Sequence, residues 1–274
     1  MPPIMGVMTA LLMAFTLGIG IAVVEGTTIK NFMNEVQTIV EKIITNIIIP
    51  FLPFYIAGIF ANMTYAGEIV KIMSVFAKVF GIIIILHFVI LLVQYTIAGT
   101  LSGANPILLI RKMLPAYFTA IGTQSSAATI PVTLNQTKQN GVNEGIADFT
   151  IPLCATIHLS GSTITLVSCS MAVMMLNGMP ITFSGMFGFI LMLGVTMVAA
   201  PGVPGGAVMA ALGLLESMLG FGPELTSLMI ALYLTQDSFG TACNVTGDGA
   251  IAIIVNKFAG FNLIKRTKKE TAEA

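Results

Sequence analysis

The chain has 274 residues, of which 56% are hydrophobic and only 9% charged, and twelve basic side chains cancel twelve acidic ones. An ordinary soluble domain carries about 25% charged residues, so lipid rather than water is the solvent for much of this surface. The apolar content excludes intrinsic disorder, and the lack of any basic excess or patch excludes a nucleic-acid binder.

In chain order, the first apolar run covers residues 4–24, long enough at about 1.5 Å per residue to cross a bilayer. It has no basic n-region, so it reads as a spanning helix rather than a cleavable signal. Residues 25–42 are polar and mixed in charge, which suits a surface segment. The second run, 43–65, carries Pro50 and Pro53, which kink membrane helices. The third, 76–98, holds His87 as its one ionisable group after Lys78, and that histidine is expected to be buried and hydrogen-bonded. Beyond it the pattern changes. Residues 106–137 form two short apolar stretches split at Gly122-Thr123-Gln124-Ser125-Ser126. Residues 151–176 form a run broken by Thr156, His158, Ser160, Gly161 and Ser162. Residues 183–219 are again two short stretches, split around Pro201-Gly202-Val203-Pro204-Gly205-Gly206. The last run, 227–258, is broken at Asp237-Ser238 and again across Asn244-Val245-Thr246-Gly247-Asp248-Gly249. Each half is a hairpin followed by a broken helix, and paired Gly/Pro-interrupted segments are the sequence pointer to a transporter binding site. A weak internal repeat agrees with that pairing: His158-Leu159-Ser160-Gly161-Ser162 aligns with Asn244-Val245-Thr246-Gly247-Asp248.

Residues 139–256 contain no Lys or Arg, yet hold six acids, of which Asp237 and Asp248 lie inside an apolar run. An intramembrane ionisable residue is a functional hypothesis by default. On a helix, Asp237, Thr241, Asn244 and Asp248 stand at i, i+4, i+7 and i+11 and share one face. With no base in the region, both carboxylates are expected to be unpaired in the protein and neutralised by a bound cation or a substrate ammonium. Gly247 and Gly249 are expected to loosen the helix and free carbonyls for Na⁺. The Ser125-Ser126 tip offers N–H groups and hydroxyls to a carboxylate. These are the parts needed to hold a zwitterionic amino acid with a coupling ion. The cysteines Cys154, Cys169 and Cys243 lack paired spacing, so neither a disulfide framework nor a zinc site is expected. Two other classes fare worse. A hydrolase dyad needs adjacent carboxylates, but Asp237 and Asp248 are three turns apart, and no G-x-S-x-G is present. A passive channel lacks a repeated carbonyl filter motif.

The positive-inside rule places the C-terminal Lys265, Arg266, Lys268 and Lys269 in the cytoplasm, with Lys30, Lys42, Arg111, Lys112 and Lys138 on the same side and only Lys71 and Lys78 opposite. Alternation is then satisfied only if both hairpins enter and return on their own side, the first from the cytoplasm and the second from outside.

At these motifs the sequence resembles the dicarboxylate/amino acid:cation symporter family, also called the glutamate transporter family. The resemblance rests on Thr123-Gln124-Ser125-Ser126-Ala127-Ala128-Thr129-Ile130-Pro131, Ile151-Pro152-Leu153-Cys154-Ala155-Thr156-Ile157, Gly202-Val203-Pro204-Gly205, and Asp237 with Asn244-Val245-Thr246-Gly247-Asp248. It implies an all-α integral membrane fold with two re-entrant helical hairpins in an inverted repeat, assembled as a homotrimer in which each transport domain moves like an elevator. It implies that Asp237, with Thr241 on the same face, meets the substrate amino group. Asn244, Ser125 and Ser126 would meet the carboxylate, and Gly202 and Val203 would form the outer gate. Asp248, with carbonyls near Cys154 and Asn244, would hold one sodium ion, the Thr156 carbonyl would serve another, and no cofactor beyond the coupling Na⁺ is implied.

Three departures shape the expectation. Where acidic-substrate members carry an Arg, this chain has Gln124 and Gly240, which favours small neutral amino acids such as Ser, Thr or Ala over the alternative of acidic amino acids or dicarboxylates. The usual Asn of the seventh helix is His158 and the usual Asp two residues later is Ser160, which removes a carboxylate from a third sodium site and leaves fewer sodium ions or a proton brought by His158. About three family helices are expected before residue 4, so the chain reads as N-terminally shortened. The expected organisation is partial scaffold and trimerisation helices in 1–75, a transport domain in 76–260 and a cytoplasmic tail in 261–274 of a multi-pass inner-membrane protein.

Overall fold

The computed structural model describes residues 7–24, 27–43, isolated positions between 46 and 67, and 69–260. Most of the second apolar run and the whole C-terminal tail therefore lie outside the described residues. The described residues fold as α-helices with no strand among them. They are α1 (Val7–Val24), α2 (Thr27–Ile43), α3 (Ile69–Ser102), α4 (Pro106–Thr123), α5 (Ser126–Gln139), α6 (Glu144–Ile157), α7 (Ser160–Leu176), α8 (Phe183–Met197), α9 (Gly206–Leu219), α10 (Pro223–Leu234) and α11 (Asp237–Phe258).

The polar stretch read as a surface segment forms the helix α2. Ile29, Phe32, Met33, Val36, Val40 and Ile43 recur at i, i+3, i+4, i+7, which is the period of an amphipathic helix, and all but Val36 are exposed. It packs chiefly on α1.

The long helix α3 shows how lipid and protein divide one helix. Ile83, His87, Leu91, Tyr95 and Ala98 are buried at near-fourfold spacing, while Ile82, Ile85, Phe88, Val89, Leu92 and Val93 are exposed. The buried stripe faces α11, the central helix, which packs on α3, α4, α5, α6 and α7. One apolar core joins α3, α4, α6 and α11 through Tyr95, Met113, Ile151 and Ile253. The other joins α7, α8, α9 and α10 through Leu166, Phe189, Leu214 and Tyr233.

The helices α4 and α5 form one hairpin, and α8 and α9 pack side by side as the second. The ends are fixed by local chemistry. Asn105 accepts from the Ile107 N–H, and Ser125 from that of Ala128, starting α4 and α5 as N-caps. The break between α6 and α7 falls at His158-Leu159, as the sequence pattern indicates. The break before α11 falls at Thr235-Gln236, immediately ahead of Asp237.

One expectation fails outright. The helix α11 runs unbroken through Asn244-Val245-Thr246-Gly247-Asp248-Gly249. The two glycines serve close approach instead. A Cβ at Gly247 would stand 2.6 Å from His158 Cε1 and 2.7 Å from Gln94 Oε1, and one at Gly249 would stand 2.8 Å from the Tyr95 hydroxyl. Small residues at membrane helix contacts let backbones approach closely, so here they bring α3 and the α6–α7 break against α11 without opening its ladder.

Candidate functional site

The site is built where both hairpin tips meet the two helix breaks. At the first tip Gln124 adopts φ of +52°, the one non-glycine residue with positive φ among those described. Such a conformation is costly for a side-chain-bearing residue, and it turns the chain so that Ser125 faces the second tip. Ser125 Oγ donates to the Gly202 carbonyl at 2.6 Å. A Cβ on Gly202 would touch Ala127 and the Ala155 carbonyl, each at 3.6 Å, so the two tips and the end of α6 converge. Ser126 is buried just behind the contact, and Val203 holds its turn by accepting from the Gly206 N–H at 2.9 Å.

Asp237 opens α11 and is 4% exposed. Its Oδ2 accepts from the Gly205 N–H at 2.7 Å. Gly205 has φ of +72°, a backbone conformation that glycine adopts without strain. The Tyr233 hydroxyl lies beside Asp237 and Ser162 without a well-formed hydrogen bond. Thr241 is buried one turn further on.

Asn244 couples the two breaks. Its Oδ1 accepts from the N–H groups of Gly161 at 2.7 Å and Ser162 at 3.2 Å, and its Nδ2 donates to Ser162 Oγ at 2.9 Å. It thus caps the first turn of α7 from across the bundle, where Leu159 supplies no side-chain cap. Both ends of the amide that was expected to face a substrate carboxylate are engaged with α7.

Asp248, 1% exposed, is not unpaired. Its Oδ1 lies 2.8 Å from His158 Nδ1. His158 Nε2 in turn lies 3.2 Å from Gln94 Nε2, and the Tyr95 hydroxyl donates to the Thr246 carbonyl at 2.7 Å. Counting only Lys and Arg overlooked the histidine as the partner. The two members of the internal repeat therefore touch: His158 meets Asp248, and Gly161 and Ser162 meet Asn244.

Among the other sites expected for a cation, the Cys154 carbonyl accepts from the His158 N–H at 2.8 Å and is held within the helix end. The Thr156 side chain is exposed and bonds the Leu153 carbonyl. Buried oxygens without a partner do occur nearby, at Gln94 Oε1, Ser160 Oγ and Thr246 Oγ1, and hard cations take oxygen ligands. Gln94 and Tyr95 were not singled out by the sequence. Their signal was present as a polar pair inside an otherwise apolar stretch of α3. His87 is buried as expected, its Nε2 lying 3.0 Å from the Gly161 carbonyl.

Helical hairpins whose tips meet beside helix breaks, around buried carboxylates, are the arrangement that points to a secondary-transporter binding site. Three described helical stretches are long and apolar enough to cross a membrane, Met73–Ser102, Glu144–Leu176 and Asp237–Phe258. Residues 4–258 match the Sodium:dicarboxylate symporter family, and the chain belongs to that family. It is 30% identical over 244 residues to the serine/threonine transporter SstT of Acinetobacter baumannii, covering 86% of this chain and 60% of that protein. It is 27% identical over 256 residues to excitatory amino acid transporter 1 of Ambystoma tigrinum, covering 92% of this chain and 46% of that protein. The chain thus spans about 60% of the length of the first of these relatives. The family and these relatives are transporters, not enzymes.

Proposed function

We propose that this protein contributes the substrate site of a Na⁺-coupled symporter for small neutral amino acids such as Ser, Thr or Ala. The observation that carries the reading is Asp237: a buried carboxylate at the meeting point of α11 and the second hairpin tip, in a stretch without Lys or Arg. A substrate ammonium shares this carboxylate with the Gly205 N–H, since an ionised carboxylate accepts several hydrogen bonds. The substrate carboxylate lies against the start of α5, where Ser125 and Ser126 supply hydroxyls and the helix end supplies N–H groups. Gln124 and Gly240 leave no cation for a second carboxylate, which argues against the acidic alternative, and the resemblance to a serine/threonine transporter supports the neutral one.

Asp248 serves the coupling ion. Because His158 already holds one of its oxygens, coupling uses fewer sodium ions than a site with a free carboxylate, or H⁺ in place of one. The helices α5, α8 and α9, of 14, 15 and 14 residues, reach about 21–23 Å at 1.5 Å per residue. That is short of the roughly 30 Å hydrocarbon core, which supports hairpins that enter and return on one side. Residues 76–260 act as the transport domain and move like an elevator against scaffold helices in 1–75, in a homotrimer whose C-terminus is cytoplasmic.

The test is thermal unfolding of the purified protein with a panel of amino acids, with and without Na⁺, followed by uptake into proteoliposomes. Ser, Thr and Ala at about 100 times their Kd stabilise by about 2.7 kcal/mol, a shift of several degrees. Aspartate gives none, and Asp237→Asn abolishes the shift. A sodium-dependent shift with aspartate but not serine would overturn the substrate assignment.

A further inference from the structure

A groove of about 440 Å³ lies at the end of α3, away from the hairpin tips, lined by Ala104, Asn105, Leu108, Leu109, Arg111, Lys112 and Asn140. No acidic residue lines it. Leu108, Arg111 and Lys112 share one face of α4 at i, i+3 and i+4. Lys112 is held against the end of α5 by donating to the Gln139 carbonyl at 2.9 Å, which leaves further N–H groups on its ammonium. Arg111 forms no ion pair among the described residues, whereas Lys138 nearby is committed to Glu144 and Asp148 at 2.9 and 2.8 Å. The first turn of α4 adds the positive end of its dipole.

A second, independent observation concerns Asn140, which is 4% exposed. Its Nδ2 donates to the Leu109 carbonyl at 3.2 Å, but its Oδ1 has no hydrogen-bond partner. A buried acceptor left unpaired costs about 1–3 kcal/mol, so a ligand donor toward which the Asn140 amide turns, on the groove it lines, relieves that cost. The groove's level in the membrane narrows the choice. The spanning stretch of α3 ends at Ser102, directly before Ala104 and Asn105, and Leu101, Ile107 and Leu108 are exposed beside it. Charged groups and exposed apolar side chains meet here at the depth of lipid head groups.

We infer that this groove binds an anionic phospholipid with a hydroxylated head group, of the phosphatidylglycerol kind. The phosphodiester lies on Arg111 and Lys112, a head-group hydroxyl satisfies Asn140, and the acyl chains run along Ile107 and Leu108. Basic pockets at the ends of membrane helices recognise phospholipid head groups in this way.

The test measures lipid retained on the full chain by native mass spectrometry from micelles containing phosphatidylglycerol or phosphatidylcholine. Two variants report on the groove. Arg111→Gln with Lys112→Gln removes its charge. Asn105→Asp keeps the N-cap, since Asp caps as well as Asn, and adds a negative charge. Phosphatidylglycerol retention is expected to fall about thirtyfold in the first and about fivefold in the second, each positive charge near a membrane surface being worth about 1 kcal/mol. The charge-matched control Lys30→Gln with Lys78→Gln is expected to retain wild-type levels. Equal retention of phosphatidylcholine, wild-type retention by both groove variants, or an equal loss in the control overturns the inference. Displacement of the lipid by millimolar inorganic phosphate would show a soluble anion site and overturn it as well.

Discussion

Gly161 and Gly247 are pressed against their neighbours in different ways, and the difference predicts different costs. A Cβ on Gly161 would run into the Gly240 carbonyl and stand 2.6 Å from Cys243 Cβ, whereas one on Gly247 would meet His158 Cε1 and Gln94 Oε1, which are side-chain atoms. Backbone cannot step aside without moving α11, whereas the Gln94 end can swing away and the His158 ring can tilt by lengthening its contact with Asp248. Gly161→Ala is therefore expected to cost about 3 kcal/mol and Gly247→Ala about 1 kcal/mol, within the usual range for overpacking, as read by thermal unfolding in detergent. Asn244 supplies another contrast. Asn244→Ala leaves two N–H groups and the Ser162 hydroxyl without their partner, expected to cost about 2 kcal/mol. Asn244→Asp keeps the acceptor and is expected to cost about half as much. The stripe of Asp237, Thr241, Asn244 and Asp248 was legible in the sequence because helical spacing alone puts the four on one face. Their partners were not. His158 lies 90 residues from Asp248, and Gly161 lies 83 from Asn244, distances that only the fold closes.

At the scale of elements, Ser125 does two things with one hydroxyl: it caps α5 and ties the first tip to Gly202 of the second. Ser125→Ala removes both. The bond to Gly202 is worth about 1 kcal/mol, a factor of about five in an opening equilibrium. The variant is expected to raise amide hydrogen exchange about fivefold at residues 199–206 while leaving α3 unchanged. Unchanged exchange at the second tip would mean that the Ser125–Gly202 bond does not hold the tips together. Both hairpins and the first break were readable from sequence, since Gly, Pro and polar residues interrupt apolar runs there and nothing else explains them. The supposed second opening in α11 misled, because Gly247 and Gly249 look alike whether they loosen a helix or admit a neighbour. Only the positions of Gln94, Tyr95 and His158 decide between those roles. The helical form of α2 was not read from the sequence, although its apolar period was present.

At the scale of the whole molecule, orientation follows from the charges that remain and can be tested because the native thiols are silent. Cys154, Cys169 and Cys243 are free and buried, at 4%, 0% and 0% exposure, so an engineered surface cysteine stands out against a low background. Glu144, at the start of α6, is exposed on the end of the bundle that carries Lys138, and Glu224, at the start of α10, is exposed beyond α9. Basic residues keep to the cytoplasmic side of membrane proteins, which predicts Glu144 inside and Glu224 outside. In intact cells a membrane-impermeant maleimide is expected to label Glu224→Cys and to spare Glu144→Cys, with the order reversed in inside-out vesicles. The pair also tests the hairpins. Residues 144 and 224 are separated by the chain from α6 to α9, and Glu224 stays opposite Glu144 if the α8–α9 hairpin returns to the side it left, but joins it if α8 and α9 together make one crossing. Labelling of both cysteines from the same side would mean that α8 and α9 together cross the membrane once, and the inverted arrangement of the two halves would fall with it.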